Sequence, residues 1–220
     1  FGTKAETLER LSGLLTRCQV PSFYYFIVAD WREDPDRVIS DLTSKFNEEE
    51  VIVRSSALSE DGHNTAMAGA FLSVPSIFVH DREMLIEAIE SVISSFQIHS
   101  NGGNPKNQVL VQVMAKDVSM SGVLMTQDLN TGAPYYVINY DDESGRTDTV
   151  ASGTGYCNRT LLVHRDSWRL LRSKRFLVLL EAVEEIEQAI GSSFLDIEFA
   201  LDKEDKLFLF QVRQITTQDN

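Results

Sequence analysis

The chain has 220 residues, 43% of them hydrophobic, with 20 basic and 33 acidic side chains and a net charge of -13 at pH 7. That is enough apolar material for one large domain or two packed halves. The acidic balance disfavours a nucleic-acid binder, which would show a basic face. No apolar run of about 18 residues offers a membrane span. Cys18 and Cys157 form neither a disulfide framework nor a metal spacing, which suits a reducing, cytoplasmic setting. The chain opens on Phe1 and not on Met, so it reads as part of a longer protein.

In chain order, Thr3 can cap a helix that begins at Lys4 and carries Leu8, Leu11, Leu14 and Leu15 on one side. Lys4 sits at the end of that helix where the dipole favours anions, so it is either solvated or aimed at one. Phe23 to Val28 reads as a short buried strand. Asp34-Pro35 opens a second helix with Val38, Ile39, Leu42 and Phe46 as its apolar side. Val51 to Val53 is a strand that delivers Arg54-Ser55-Ser56-Ala57, followed by the polar loop from Ser59 to Asn64. A Gly-containing turn, Met67 to Ala70, leads into a strand around Val74. Asp81 can cap an amphipathic helix with Leu85, Ile86, Ile89, Val92, Ile93 and Phe96 on its core side. The loop Asn101 to Pro105 marks the boundary between two halves, 1–104 and 105–220.

The second half opens with a strand from Gln108 to Met114. Strands over Ser121–Thr126, Tyr135–Tyr140 and Arg159–His164 follow, with an acidic loop at Asp141 to Gly145. Asp166 to Ile190 is helical with a break near Ser173, and Gly191 fits the position that ends it. The chain closes on a hairpin of Leu195 to Leu201 and Leu207 to Arg213. Within it Asp196 and Glu198 fall on one strand face, roughly 7 Å apart. Gln211 and Arg213 share a face on the partner strand. Such alternation is ordinarily a water-facing surface. The functional alternative is a Mg²⁺ site turned toward a polyphosphate, because Mg²⁺ takes one or two carboxylates plus phosphate oxygens.

Mixed helices and antiparallel hairpins predict an α+β fold. The chain has no G-x-x-x-x-G-K-[ST], G-x-G-x-x-G or G-x-S-x-G pattern, so P-loop, dinucleotide-binding and serine-hydrolase readings lack their fingerprints. His63, His80, His99 and His164 make no metal pattern. Lys4, Arg54 and Arg213 each stand where a cation could meet phosphate.

The ordered set of segments is specific even though each piece alone is weak. Phe1 to Leu8 is similar to a Gly-Gly-Lys-Gly opening with two glycines replaced. Val53-Arg54-Ser55-Ser56-Ala57 through Ser59-Glu60-Asp61 matches a Val-Arg-Ser-Ser-Ala-x-x-Glu-Asp segment. Met67 to Val74, Val111-Gln112-Val113-Met114, Ser121-Gly122-Val123, Asp128-x-x-Thr131-Gly132, Asp196-Ile197-Glu198 and Gln211-Val212-Arg213 follow in family order. Across essentially its whole length the chain resembles the nucleotide-binding domain of phosphoenolpyruvate synthase and pyruvate phosphate dikinase, of the ATP-grasp group.

The resemblance implies a two-lobed ATP-grasp fold with the nucleotide cleft between the lobes. It implies that ATP and Mg²⁺ are the cofactors and that backbone groups of Gln112, Val113 and Met114 hold adenine. Lys4, Arg54 and Arg213 would contact phosphates. Glu198 and Gln211 would hold Mg²⁺ with Asp196 in support, and Ser55, Ser56 and Gly69 would belong to a loop over the triphosphate. The reaction implied passes a phosphoryl group from ATP to a histidine on a separate domain, and from there to an acceptor such as pyruvate or the amide of glutamine. The Thr-Cys-His segment that carries such a histidine is absent from these residues, so its domain and the acceptor domain would be partners within the full-length protein. The family's Glu-x-x-x-Gly-x-Gly-Glu stretch is replaced here by Val137 to Gly145, with Glu143 as a substitute ribose contact. That departure and the changed opening glycines leave a second expectation: a nucleotide-binding or regulatory module that no longer turns over.

Overall fold

Asp34 and Asp81 start their helices as the sequence predicts. In the computed structural model the Asp34 carboxylate accepts from the Arg37 N–H at 3.0 Å, and the Asp81 carboxylate accepts from the Met84 N–H at 3.1 Å. They open α3 (Pro35–Phe46) and α4 (Arg82–His99), which follow α1 (Lys4–Ser12) and α2 (Val28–Glu33). The described residues are 2–47, 49–58, 72–99, 104–129, 131–147 and 159–215. They fall into two compact units, one of Gly2–Ala5 with Pro21–Met114, the other of Glu6–Val20 with Ala115–Asn220.

The first unit holds β1 (Phe23–Ile27), β2 (Glu50–Ser56), β3 (Ser73–Phe78) and β4 (Gln108–Val113) in one antiparallel sheet of order β1-β4-β2-β3. Among the described strands β4 neighbours β1 and pairs on its other side with β2, and this unit runs to Met114, whereas the sequence reading set its boundary at Asn104. Leu42, Phe46, Leu85, Ile89, Val92 and Phe96 from α3 and α4 pack with Val51, Val53, Val109 and Val111. Odd-numbered residues of β2 and β4 therefore face the helices. Side chains alternate along a strand, so Ile52, Arg54, Ser56, Gln108, Leu110 and Gln112 face the other way.

The second unit holds β5 (Val118–Met125), β6 (Tyr135–Asp141), β7 (Arg159–His164), β8 (Leu195–Asp202) and β9 (Leu207–Gln214) in an antiparallel sheet of order β7-β6-β5-β8-β9. α5 (Lys174–Ile190) buries Phe176, Leu179, Leu180, Val183 and Ile186. It meets the β6 side of the sheet through Phe176 edge-on to Tyr140 and through the Tyr136 hydroxyl donating to Glu187 at 3.2 Å. Gly191 ends the helix at φ 73°, a left-handed conformation that favours glycine. Gly122 of β5 has no room for a side chain: a Cβ there would lie 2.2 Å from the Asn139 carbonyl oxygen of β6.

After α1 the chain returns along the edge of β9. The Gln19 N–H donates to the Leu207 carbonyl at 2.8 Å, and Leu209 N–H donates to the Gln19 carbonyl at 2.9 Å. Glu185 of α5 fixes this strap by accepting from the Thr16 hydroxyl at 2.6 Å, the Thr16 N–H at 3.0 Å and the Arg17 N–H at 2.9 Å. Burial pushes the Glu185 carboxyl up, but those three donors outweigh it and it titrates below the ordinary glutamate value.

Two outcomes follow from this packing. Gly122→Ala should lower stability by about 1–3 kcal/mol through overpacking against backbone, read by urea denaturation. Because the folded-state pKa of Glu185 is depressed, its contribution is present above the ordinary glutamate pKa and is lost as pH falls through the folded value. Exchange protection of the Gln19 and Leu209 amides should therefore drop first on acidification. In Glu185→Gln that pH-dependent increment should vanish.

Candidate functional site

The closing hairpin is not a regular two-stranded ladder. Asp196 pairs with Arg213 and Glu198 with Gln211, but Phe199 pairs with Leu209, leaving Phe210 as the extra residue of a β-bulge. The bulge changes which side of β9 its odd-numbered residues face. Leu207 and Leu209 share the buried side of Phe199 and Leu201, whereas Gln211 and Arg213 lie across from Glu198 and Asp196 on the opposite side. Two carboxylates, an amide and a guanidinium thus share one patch of sheet, as the sequence predicts. The bulge itself is missed by simple alternation. Its signal is the shift in polar parity within Leu207-Phe208-Leu209-Phe210-Gln211-Val212-Arg213.

Arg213 donates from Nε at 2.7 Å and from Nη2 at 2.6 Å to one oxygen of Asp196, Oδ2. The other oxygen, Oδ1, is buried and accepts no hydrogen bond. Burial pushes the Asp196 carboxyl above the ordinary aspartate value, Arg213 pulls it back, and the charge of Glu198 pushes it up again. A buried lone pair without a donor and two mutually repelling carboxylates are what a small hard cation would relieve. The donor set of Asp196 Oδ1, Glu198 and the Gln211 amide fits Mg²⁺, which is content with two protein carboxylates and outside oxygen ligands. Among the described residues no cluster of three or more His, Cys, Asp or Glu could hold a metal by itself. Farther along the same face, Ala200 packs with Phe210 and Val118 beside Phe208 and Ala115 in a small apolar group.

The first unit carries the remaining predicted residues. Ser56 Oγ accepts the Ala5 N–H at 3.1 Å, and it shares the Gln108 Oε1 acceptor with the Thr3 hydroxyl, which donates at 2.6 Å. Ser56 therefore positions the start of α1, where Lys4 is the first residue, and Thr3 bonds across to β4. Arg54 is buried two residues before Ser56 on the same side of β2. Ser55 falls on the other side, with Val51, Val53 and Ala57, and its N–H donates to the Leu72 carbonyl at 3.2 Å. Gly69 and the loop Ser59 to Phe71 lie outside the described residues.

The expected adenine-holding backbone is partly committed to the sheet. The Val113 N–H donates to the Ser22 carbonyl at 2.9 Å and the Met114 N–H to the Glu50 carbonyl at 3.0 Å. Both donors are taken because β4 is an interior strand with partners on both sides. Met114 Sδ also accepts the Ser76 N–H at 3.1 Å. Gln112, by contrast, is fully buried, and neither its Oε1 nor its Nε2 has a partner.

Two other motif segments are structural. The Asp128 carboxylate accepts from the Thr131 N–H at 2.8 Å and the Thr131 hydroxyl at 2.7 Å, closing a turn with Gly132 at φ 68°. In the acidic loop, Asp142 pairs with Arg159 at 3.1 Å and Arg175 at 2.7 Å, and Glu143 pairs with Arg159. Glu143 is thereby tied down at the place where a ribose contact is expected.

Residues 27–142 match the family described as pyruvate phosphate dikinase, AMP/ATP-binding domain. A search of curated protein sequences finds no significant match. Among solved structures, the chain superposes on the VanG D-Ala:D-Ser ligase from Enterococcus faecalis with a TM-score of 0.52 at 13% identity, covering 99% of this chain and 54% of that one. It superposes on the D-alanine-D-alanine ligase from Helicobacter pylori at 0.52 and 11% identity, covering 98% and 51%. It matches an L-amino acid ligase from Bacillus licheniformis at 0.53 and 16% identity, covering 97% and 42%. The chain spans about half the length of these structures or less. At such identities the likeness establishes the fold, a mixed α+β ATP-grasp architecture.

The ribbon gives its own test. Arg213→Ala leaves the Asp196 carboxylate without its counter-charge and should destabilise the protein by about 1–3 kcal/mol. Millimolar Mg²⁺ without nucleotide should recover more stability in that variant than in wild type, measured by paired denaturation curves.

Proposed function

The chain belongs to the pyruvate phosphate dikinase AMP/ATP-binding domain family, and from that premise we propose that it binds Mg-ATP as the donor half of a phosphotransferase. The family is one of ATP-using enzymes. The finer reading is that the terminal part of the triphosphate leaves for a histidine on a separate domain of the full-length protein. From there it passes to a small-molecule acceptor, pyruvate or an amide such as glutamine. Cytoplasmic residence belongs to the same proposal. The described residues contain no helix long and apolar enough to cross a membrane.

The observation that carries the reading is the bulge-set quartet, with its open Asp196 oxygen. Asp196, Glu198 and Gln211 are assigned to Mg²⁺. Lys4, Arg54 and Arg213 are assigned to phosphate oxygens, and Ser56 to holding the α1 start in place for Lys4. Bound Mg²⁺ would neutralise charge on the polyphosphate. Phosphoryl transfer asks a protein chiefly for positioning and electrostatic stabilisation, and these residue types supply both.

A specific observation favours a second reading, a module that binds nucleotide without turnover. The Arg213 guanidinium donates to Asp196 through both Nε and Nη2, and Glu143 is held by Arg159. AMP formation by the full-length protein separates the two readings.

Calorimetric titration of Mg-ATP into the wild-type chain should give saturable binding. Glu198→Gln and Arg54→Ala should weaken it about 10- to 100-fold, the value of a charge-assisted contact, with circular dichroism unchanged. Absence of wild-type binding would overturn the proposal.

A further inference from the structure

Strand β7 ends one side of the second sheet, and among the described residues only β6 pairs with it. An open strand edge is a template for another chain, and folds normally blunt it. The strand at the opposite end of this sheet, β9, is bridged by Gln19, and β3 at an edge of the first sheet carries Pro75 and a bulge. β7 has none of these devices. Its sequence, Arg159-Thr160-Leu161-Leu162-Val163-His164, contains no proline, and its register with β6 is unbroken. Leu162, in the middle of it, is 58% exposed.

The register shows which backbone groups this edge offers. The Arg165 N–H donates to the Pro134 carbonyl at 3.0 Å, so residues 165 and 134 form a hydrogen-bonded pair of the ladder. Such pairs alternate with non-bonded ones along an antiparallel ladder. Leu161 and Val163 therefore bond inward to β6, whereas the main-chain groups of Thr160 and Leu162 and the His164 N–H point outward. The His164 carbonyl turns back and accepts the Ser167 N–H at 3.1 Å.

We propose that β7 pairs antiparallel with β7 of a second copy of this chain, about a two-fold axis at Leu162, joining the two sheets edge to edge. A two-fold ladder needs outward-pointing residues opposite each other, and Leu162 is the middle one of Thr160, Leu162 and His164. Each Leu162 N–H then donates to the carbonyl of the partner's Leu162, and each His164 N–H to the carbonyl of the partner's Thr160. Side chains match in the same register. Leu162 meets the partner's Leu162, Leu161 falls opposite the partner's Val163, and Thr160 falls opposite the partner's His164. An apolar centre with polar ends, the same read from either copy, is what a self-complementary two-fold contact requires.

Charge agrees with that occupant. The chain has 33 acidic residues, yet none lies between 159 and 165, so the pairing opposes no carboxylates along the strand. The ends are complementary: Arg159, with its side chain 51% exposed, stands at the end that meets the partner's Asp166, whose side chain is 93% exposed. This contact is independent of the Mg-ATP reading.

Sedimentation equilibrium of the wild-type chain should show a monomer–dimer equilibrium. Leu162→Lys should weaken it about 10- to 100-fold, for a lost apolar pair and two ammonium groups set opposite each other, with circular dichroism unchanged. Leu170→Lys, also exposed but outside β7, should associate as wild type does. Hydrogen exchange of wild type locates the contact and decides the matter even where the lysine variant fails to fold. The Leu162 and His164 amides should exchange at least about tenfold more slowly in concentrated than in dilute protein, while the Leu161 and Val163 amides stay protected throughout. A chain that is monomeric at every concentration overturns the proposal, as does a dimer that Leu162→Lys leaves intact. A dimer whose Leu162 and His164 amides exchange as in dilute protein lies on another surface and overturns it too. Protection of those amides in the dilute monomer means that the chain covers its own edge, which is equally fatal.

Discussion

The β-bulge at Phe210 is the constraint on which the second unit depends. Leu207 and Leu209 must enter the core with Phe199 and Leu201, and Arg213 must stay out of it. In a regular strand all three would lie on one side, and an arginine would be driven under α5. Burying an unpaired charge is far costlier than one irregular ladder step. The extra residue resolves the conflict. It turns Gln211 and Arg213 toward Asp196 and Glu198 and lets Phe210 pack on Val118 and Ala200. The chemistry of the patch and the integrity of the core are thus satisfied by the same local deformation, so neither can be altered without disturbing the other.

Strongly periodic elements were readable from the sequence because their stabilising contacts repeat locally. The stripes of α3 and α4, the break before α5 and the left-handed Gly191 all correspond to residues named from pattern alone. What escaped depends on distant partners. Val28, expected to end the strand from Phe23, instead begins the helix Val28–Glu33 around a buried Trp31 whose Nε1 donates to Glu90 of α4 at 2.7 Å. The stripe expected to continue to Leu14 stops at Ser12, leaving Leu14 60% exposed. Strand β4 was grouped with the strands that follow it, but its partners β1 and β2 come earlier. Register with remote strands is not written in local periodicity.

The candidate site divides along the same line. Residue types and the shared face of Asp196, Glu198, Gln211 and Arg213 were legible, since side-chain alternation is a property of one strand. That the Val113 and Met114 N–H groups are taken up within the sheet was not, because it depends on Ser22 and Glu50, about ninety and sixty residues earlier in the chain. The role of Ser56 was hidden for a similar reason. Its partner, the Ala5 N–H, lies 51 residues upstream.

The arginine–carboxylate pairs of the second unit are not all closed alike. Among the described residues this unit holds three partly buried arginine–carboxylate pairs, Arg165–Glu187, Arg175–Asp142 and Arg213–Asp196. Arg165 grips both oxygens of Glu187, at 2.7 and 2.9 Å, and also donates to the Thr126 carbonyl at 2.8 Å. The Tyr136 hydroxyl donates to Glu187 as well, and the guanidinium lies over the Tyr136 ring. Every oxygen of that carboxylate is answered, which is the condition under which a buried ion pair is tolerated as scaffold. Arg213 and Asp196 have the same charges, but Arg213 engages a single carboxylate oxygen and the second stays buried and open. The open oxygen lies beside Glu198 and Gln211 on the patch fixed by the bulge.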